Sequence, residues 1–260
     1  MTWIEIAWPM MGSVCLTLGT IHFFLWERHK KRIDHLTLAI VAVSVACISV
    51  LELWMMQSKI PSDYEDLLRW AHVPAAAMFI SIPVFVYAKL NAGRLWLCIA
   101  ICLTRAAALL ANFLTGVNLN FREITHLKFI PIWGGVESSV PIGVVNEWMI
   151  LGQISNLLLL VFLADVAVTV WRNNSKQRWL ALRICGSLAL FAVLSNFWHA
   201  GVVIGLINAP DILVPLFSCV VLMASYELGS DILRAAELTE NLLVTDAKLR
   251  ESELRMDLAI

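Results

Sequence analysis

The chain has 260 residues, of which 60% are hydrophobic and 15% are charged, and its mean hydropathy is +0.77. Soluble domains contain roughly 45–50% apolar residues, so this composition indicates a membrane protein. The formal net charge is −1. A balanced charge lacks the basic surface that nucleic-acid-binding proteins need, and we expect no nucleic-acid partner.

Seven apolar segments follow one another along the first 229 residues. A helix of about 20 apolar residues crosses the ~30 Å hydrocarbon core of a bilayer. The sequence therefore predicts an all-α membrane protein, with a seven-helix transmembrane bundle over residues 1–229. The predicted spans are Trp3–Trp26, Ile33–Gln57, Leu67–Ala88, Leu95–Gly116, Trp148–Trp171, Trp179–Leu206 and Ile212–Gly229.

Lysine and arginine are enriched in cytoplasmic loops, and here their distribution is uneven. One set of loops contains ten of them: Arg28, Lys30, Lys31, Arg32, Lys89, Arg94, Arg172, Lys176, Arg178 and Arg183. The other set contains Lys59, Arg69, Arg122 and Lys128. This asymmetry predicts an outside N-terminus and, after seven crossings, a cytoplasmic C-terminus.

The long connection, residues 117–147, lies on the predicted outer side. It is too long for a tight turn and contains apolar residues such as Phe129, Ile132 and Trp133 beside Gly134 and Gly135. Long loops of this kind commonly fold back as lids or binding surfaces. The alternative is an interfacial segment that rests on the outer face of the bilayer.

Residues 230–260 form a charged segment that follows the seventh span without a break. A stripe with a period of seven runs through it: Leu228, Ala235, Leu242, Leu249 and Met256. Such spacing is typical of one face of a coiled coil, although the companion stripe is poor. We expect a cytoplasmic signalling helix that pairs in a parallel homodimer. The alternative is an amphipathic helix that lies on the membrane or on another domain.

Polar side chains inside the spans are costly and tend to be functional. Arg105 lies near the middle of the fourth span, and Glu52 is its candidate partner by depth, although such an ion pair could be purely structural. Most of the other polar groups fall in the outer halves of their spans, which predicts a small-molecule site beneath the outer loop. The alternative is hydrogen bonding between helices without a ligand. The candidate ligand-binding residues are Glu52, His72, Arg105, Asn112, Glu147, Gln153, Asn156, Asn196 and His199.

Metal or haem binding is a second possibility for this site, although no cofactor is part of the main prediction. His72 and His199 are at similar depth, where they could ligate haem, or copper or zinc together with Glu52. Cys98 and Cys102 share a helix face, but no further ligand lies near them in the sequence. All six cysteines fall within spans, so we expect no disulfide framework.

Catalytic residues are not predicted, because no phosphate-binding loop, zinc-protease or hydrolase motif is present. A transporter or a membrane enzyme is a further alternative. The odd number of spans and the lack of a visible inverted repeat argue against a transporter.

Three passages carry a family resemblance: GVNLNFREITHL in the outer loop, GQISNLLLLVFLADVAVTVWR in the fifth span, and YELGSDILRAAELTENLL followed by LRESELRMDLA at the junction. They resemble bacterial two-component sensor histidine kinases in which a seven-helix membrane region precedes a connecting helix, a PAS domain and a kinase core. The resemblance implies a homodimer in the bacterial inner membrane. It also implies a longer parent protein, whose kinase region would use ATP and Mg²⁺ and act on a cognate response regulator. We therefore expect a sensor that detects an unknown small ligand from the periplasmic or membrane side.

Overall fold

The computed structural model describes residues 2–132, 135–174, 177–210 and 212–257. Within these residues, seven helices are long and apolar enough to cross a membrane, which confirms the predicted bundle. They are α1 (Trp3–Arg28), α2 (Ile33–Gln57), α3 (Pro61–Leu90), α4 (Leu95–Leu114), α5 (Met149–Asn173), α6 (Arg178–Val203) and α7 (Leu213–Asp257). Two strands, β1 (Phe121–Ile132) and β2 (Val136–Val145), lie between α4 and α5.

The helix boundaries differ from the predicted spans where local chemistry extends or ends a helix. Helix α3 starts at Pro61, earlier than the predicted Leu67, because proline is well suited to the first turn of a helix. Helix α6 ends at Val203, shortly before Gly205, whose φ of 76° is readily accessible only to glycine. Helix α7 runs from Leu213 to Asp257, so it contains both the predicted seventh span and most of the charged helix predicted to follow it.

The chain forms two compact units, residues 1–222 and 223–260. The first contains α1 to α6, both strands and the start of α7. The second contains the remainder of α7, which is helical as far as Asp257. In the predicted heptad stripe Leu242 is 70% exposed, and the structure does not describe the side chains of Ala235, Leu249 and Met256. Coiled-coil pairing of this helix therefore stays a prediction.

Helices α1 and α2 pack closely because α1 presents small residues to α2. A Cβ atom at Gly12 would clash with Oγ of Ser49, and one at Gly19 would lie 3.3 Å from the carbonyl oxygen of Ala39. Small residues at such positions let helix backbones approach in a membrane. The buried positions of α1 follow a regular 4-4-3-4-3 spacing: Ile4, Trp8, Gly12, Cys15, Gly19 and His22.

The long loop contains an antiparallel hairpin that the sequence pattern did not predict. Its register runs from Phe121 opposite Val145 to Ile132 opposite Val136, with two irregularities near the start of β1. The register irregularities in β1 give this strand a buried position every third residue. Trp133 and Gly134, which belong to the predicted loop, lie outside the described residues. The buried residues of β1 pack with residues of α2, α3 and α6: Phe121, Ile124 and Leu127 against Met55, Tyr64, Leu68, Ala71 and Val203. An isolated two-stranded hairpin is marginal in water, so this packing stabilises it.

Candidate functional site

A cavity of about 110 Å³ lies in the first unit, bordered by α2 to α7 and by the start of the long loop. A cavity of roughly 150 Å³ in a protein core holds benzene, so this space suits a small organic molecule or several waters. Most of its lining is apolar and includes Met55, Leu68, Met78, Phe79, Met149 and Phe217.

Seven of the nine residues predicted from the sequence line this one cavity: Glu52, His72, Arg105, Gln153, Asn156, Asn196 and His199. They come from five different helices, α2 to α6. Their predicted common depth in the membrane therefore corresponds to proximity in the fold. Whether they bind a ligand stays a prediction.

Asn112 and Glu147 do not line the cavity. Asn112 is fully buried, its Nδ2 donates to the carbonyl of Arg69 at 3.0 Å, and its Oδ1 accepts from the backbone N–H of Leu119 at 2.9 Å. Both sides of its amide are therefore used to attach the loop to α3 and α4. Glu147 is exposed in the turn before α5.

Arg105 is only 8% exposed and has neutral neighbours. Its Nη2 donates to Oδ1 of Asn156 at 2.5 Å, and its guanidinium carbon lies 4.1 Å from the ring centroid of Phe79. Asn156, rather than the predicted Glu52, is its hydrogen-bond partner. Among the described residues, Nε of Arg105 has no hydrogen-bond partner. A guanidinium this deeply buried is costly unless its donors are used.

The Arg105 hydrogen bond continues across three helices. Asn156 on α5 accepts from Arg105 on α4 and donates through Nδ2 to Oδ1 of Asn196 on α6 at 2.7 Å. An amide that accepts on one side and donates on the other fixes the relative rotation of these helices. The result is a polar wall on one side of the cavity.

Glu52 lines the cavity from α2 and is 2% exposed. One carboxylate oxygen accepts from the backbone N–H of Leu213 at 2.9 Å, and the other from the indole of Trp8 at 2.9 Å and from the N–H of Val214 at 3.3 Å. Leu213 and Val214 form the first turn of α7, whose N–H groups have no partner within the helix. Glu52 therefore caps α7, and the positive end of the helix dipole stabilises the buried carboxylate. The next residue, Pro215, has no N–H group to satisfy.

The two histidines have defined hydrogen-bond roles. Nδ1 of His72 lies 2.8 Å from the carbonyl of Leu68, which can only accept, so His72 carries a proton on Nδ1. Nε2 of His199 lies 3.0 Å from Nδ2 of Asn120, which can only donate, so His199 accepts through Nε2. Asn120 belongs to the long loop and thereby connects the loop to α6.

Asparagine side chains hold the loop over the cavity. Oδ1 of Asn118 accepts from the N–H groups of Asn120 and Phe121, at 3.0 and 2.9 Å. Nδ2 of Asn146 donates to the carbonyl of Asn118 at 2.8 Å, and Nε of Arg69 donates to that of Val117 at 2.5 Å. Leu119 and Asn120, which lie within this network, line the cavity directly.

Metal ligands are not clustered at the cavity. The described part of the chain has no group of three or more His, Cys, Asp and Glu side chains that could hold an ion. Nε2 of His199 is engaged by Asn120, and the carboxylate of Glu52 is engaged by α7 and Trp8. Binding copper or haem here would require displacing these hydrogen bonds. Metal and haem ligation stay alternative hypotheses for the cavity.

Sequence reasoning missed several residues of the site. Trp8, Phe79 and Phe217 are apolar or aromatic residues in apolar spans, and nothing in their spacing distinguishes them from core residues. Asn118 and Asn120 had a usable signal, because asparagines two residues apart after a helix commonly bond their own backbone in turns.

The comparisons with known proteins assign no family. No protein-family model matches the chain, and no curated protein is significantly similar to it. The functional interpretation therefore depends on the site itself.

Proposed function

We propose that this chain is the membrane-embedded sensing region of a bacterial two-component sensor histidine kinase. A small ligand enters the cavity from the periplasmic or membrane side, and the signal leaves along α7 as a dimeric cytoplasmic helix. The proposed location is the bacterial inner membrane with the C-terminus in the cytoplasm, as the lysine and arginine distribution favours. The kinase activity, with its ATP, Mg²⁺ and response regulator, belongs to a longer parent protein.

The observation that carries this proposal is the dual position of Glu52. Its side chain lines the cavity, and its carboxylate accepts the first two N–H groups of α7. A ligand that moves Glu52 therefore changes the hydrogen bonding at the start of the helix proposed to carry the signal. A ligand shifts a two-state equilibrium only by its difference in affinity for the two states, and this contact supplies such a difference.

The amphipathic tail supports the dimeric part of the proposal. Leu242 belongs to the heptad stripe and is 70% exposed in the single chain. An exposed leucine in such a stripe is stabilised by packing against the same stripe of a second chain.

Photo-crosslinking of the chain in native membranes tests the dimer and the relay together. A photoreactive amino acid is placed at Leu242, with Glu237, an exposed residue on a different side of the helix, as the matched control. We expect crosslinked dimers from Leu242 and several-fold fewer from Glu237. We expect Glu52→Gln to change the crosslinking yield at Leu242 several-fold, because it weakens the hydrogen bonds between residue 52 and the first N–H groups of α7.

Equal yields at Leu242 and Glu237 would contradict the dimeric helix. An unchanged Leu242 yield in both Glu52→Gln and Trp8→Phe would contradict the relay, because both substitutions alter the cap on α7.

The kinase assignment is tested in membranes that contain the longer parent protein. We expect ATP-dependent phosphorylation of the parent that changes in Glu52→Gln, His72→Ala, Arg105→Ala and His199→Ala variants. Glu147→Ala serves as the matched control, because Glu147 is exposed and does not line the cavity. A parent that incorporates no phosphate would overturn the histidine kinase assignment.

A further inference from the structure

We infer, building on the proposed sensing function, that the ligand of this cavity is a small organic acid whose carboxylate binds Arg105 and whose apolar body fills the rest of the space. Two features of the cavity carry this inference: the unmet hydrogen bonding of a buried guanidinium, and the apolar surface beside it.

Arg105 is 8% exposed, and therefore more than nine-tenths buried, in a protein that crosses a membrane. Its described contacts are an amide oxygen and an aromatic face, both neutral. The ion pairs Arg32–Asp34 and Arg94–Asp165 do not involve Arg105. A buried charge is ordinarily paired or converted to its neutral form, and arginine stays charged in proteins. An anionic partner from outside the chain meets this requirement.

The donor geometry matches a carboxylate. Arg105 lines the cavity, and its Nη2 uses only one of its two hydrogens for Asn156. Guanidinium nitrogens present parallel N–H donors that a carboxylate accepts with both oxygens, and such pairs are among the strongest hydrogen bonds in proteins. A neutral carbonyl compound offers a single oxygen and cannot form this double contact.

The remainder of the cavity selects an apolar body. Met55, Met78, Phe79 and Phe217 line it, and the ring of Phe217 contacts that of Phe79 edge to face at 6.1 Å between centroids. An aromatic or short aliphatic group fits this surface and a space of about 110 Å³. Small apolar molecules of benzene size occupy cavities of comparable dimensions.

Glu52 does not oppose an anion at Arg105 as an isolated charge would. Its carboxylate is held by the indole of Trp8 and by two N–H groups at the positive end of α7. These donors stabilise its negative charge locally. The two walls of the cavity therefore differ: one carboxylate already bound by the protein, and one guanidinium with donors to spare.

The test compares benzoate with benzamide, two molecules of nearly the same shape that differ in charge. The purified chain is reconstituted in lipid nanodiscs, and binding of each radiolabelled compound is measured by equilibrium dialysis against empty nanodiscs. Hexanoate and hexanamide form a second, aliphatic pair, measured by competition with benzoate. We expect each acid to bind at least about tenfold more tightly than its amide, the effect of one charge-assisted contact.

Two variants assign the effect to the side chain. Arg105→Met removes the guanidinium but keeps a long apolar side chain, and we expect it to lose the preference for the acid. Arg122→Met is the matched control, because Arg122 is exposed on β1, and we expect it to bind like the wild type. Circular dichroism and size-exclusion chromatography show whether each variant is folded, and the comparison of acid and amide in the wild type needs no variant.

The outcomes separate this inference from the proposed function. The carboxylate assignment is overturned if benzamide binds as tightly as benzoate, or if neither benzoate nor hexanoate binds. Either result leaves the proposed relay from the cavity to α7 unaffected. Tight binding of benzoate that leaves the Leu242 crosslinking yield unchanged supports the carboxylate assignment and contradicts the relay. A small acid that stays bound through purification is detected by mass spectrometry of the protein, and its removal increases benzoate binding in the wild type alone.

Discussion

Two buried charges on different helices line the same cavity, and their hydrogen bonding differs. Glu52, on the wall formed by α2 and α7, accepts from one indole and two backbone N–H groups. Arg105, on the wall formed by α4, α5 and α6, donates to one amide, and its Nε has no partner among the described residues. Both charges are costly to bury. The hydrogen bonds made by the protein compensate for the charge of Glu52 far more completely than for that of Arg105.

This difference separates the structural and the binding roles within one cavity. A charge whose hydrogen bonds are all made by the protein is part of the fold, and its removal should destabilise the protein. A charge with spare donors contributes little to the fold and is available to a ligand. The following predictions test this division, beginning with the largest expected change in the free energy of unfolding.

Glu52→Ala should cause the largest loss of stability. It leaves the N–H groups of Leu213 and Val214 and the indole N–H of Trp8 buried without their acceptor. At 1–3 kcal/mol for each unsatisfied donor, we expect a loss of about 4 kcal/mol. The loss is measured by reversible unfolding in mixed micelles with increasing denaturing detergent.

Two further substitutions serve as controls for Glu52→Ala. Glu52→Gln keeps one oxygen acceptor and should lose about half as much. Glu147→Ala changes an exposed residue and should stay within about 0.5 kcal/mol of the wild type. Wild-type stability in Glu52→Ala would show that the carboxylate does not hold α7.

Asn156→Leu, on the side of the cavity that contains Arg105, should destabilise the protein by a smaller amount than Glu52→Ala. It removes the acceptor for Nη2 of Arg105 and the donor to Asn196, and leaves the guanidinium without a hydrogen bond. We expect a loss of about 2 kcal/mol, measured by the same unfolding assay. In an Arg105→Met background the same substitution should cost clearly less, because the buried charge is no longer there. Equal losses in both backgrounds would mean that Asn156 does not act through Arg105.

Trp8→Phe tests a single one of the hydrogen bonds that Glu52 accepts, the one from the indole of Trp8. Trp8 is 4% exposed and its indole donates to Glu52, so the substitution removes one hydrogen bond and some buried surface. We expect a loss of about 1.5 kcal/mol. Trp54→Phe on α2 is the matched control, because Trp54 is 53% exposed, and it should be nearly neutral. A larger loss for Trp54→Phe than for Trp8→Phe would contradict the assigned hydrogen bond.

The helices and much of the cavity lining were predictable from the sequence, because both follow from local rules. Spans of about 20 apolar residues define transmembrane helices, and polar residues at one depth in several spans are brought together when the helices pack. His72 and Asn196 illustrate this, since depth alone predicted that both would line the same site. Asn112 was also predicted to line this site, but its amide instead bonds the backbone of Arg69 on α3 and of Leu119 in the loop.

The role of Glu52 could not be predicted, because its partner Leu213 is 161 residues away. Depth suggested Arg105 as the partner, but the choice between a guanidinium and a helix N-terminus depends on how α2 and α7 pack. The hairpin was missed for a related reason. Its buried residues recur every third position because of the irregularities in β1, so the alternation that usually identifies a strand is lost.

Arg105→Met should have the smallest effect on stability, and it tests the division between the walls most directly. The substitution loses one hydrogen bond and the contact with Phe79, but it also removes the cost of burying a charge whose donors are incompletely used. Replacing a buried charge with an apolar side chain of similar length is often neutral or stabilising, so we expect a change of less than about 1 kcal/mol in either direction. The same unfolding assay, run with and without benzoate, measures it. Because the wild type should gain stability from benzoate and Arg105→Met should not, the two proteins should diverge only when the acid is present. A loss as large as that of Glu52→Ala, without ligand, would show that Arg105 is also part of the fold and that the two walls do not differ as proposed.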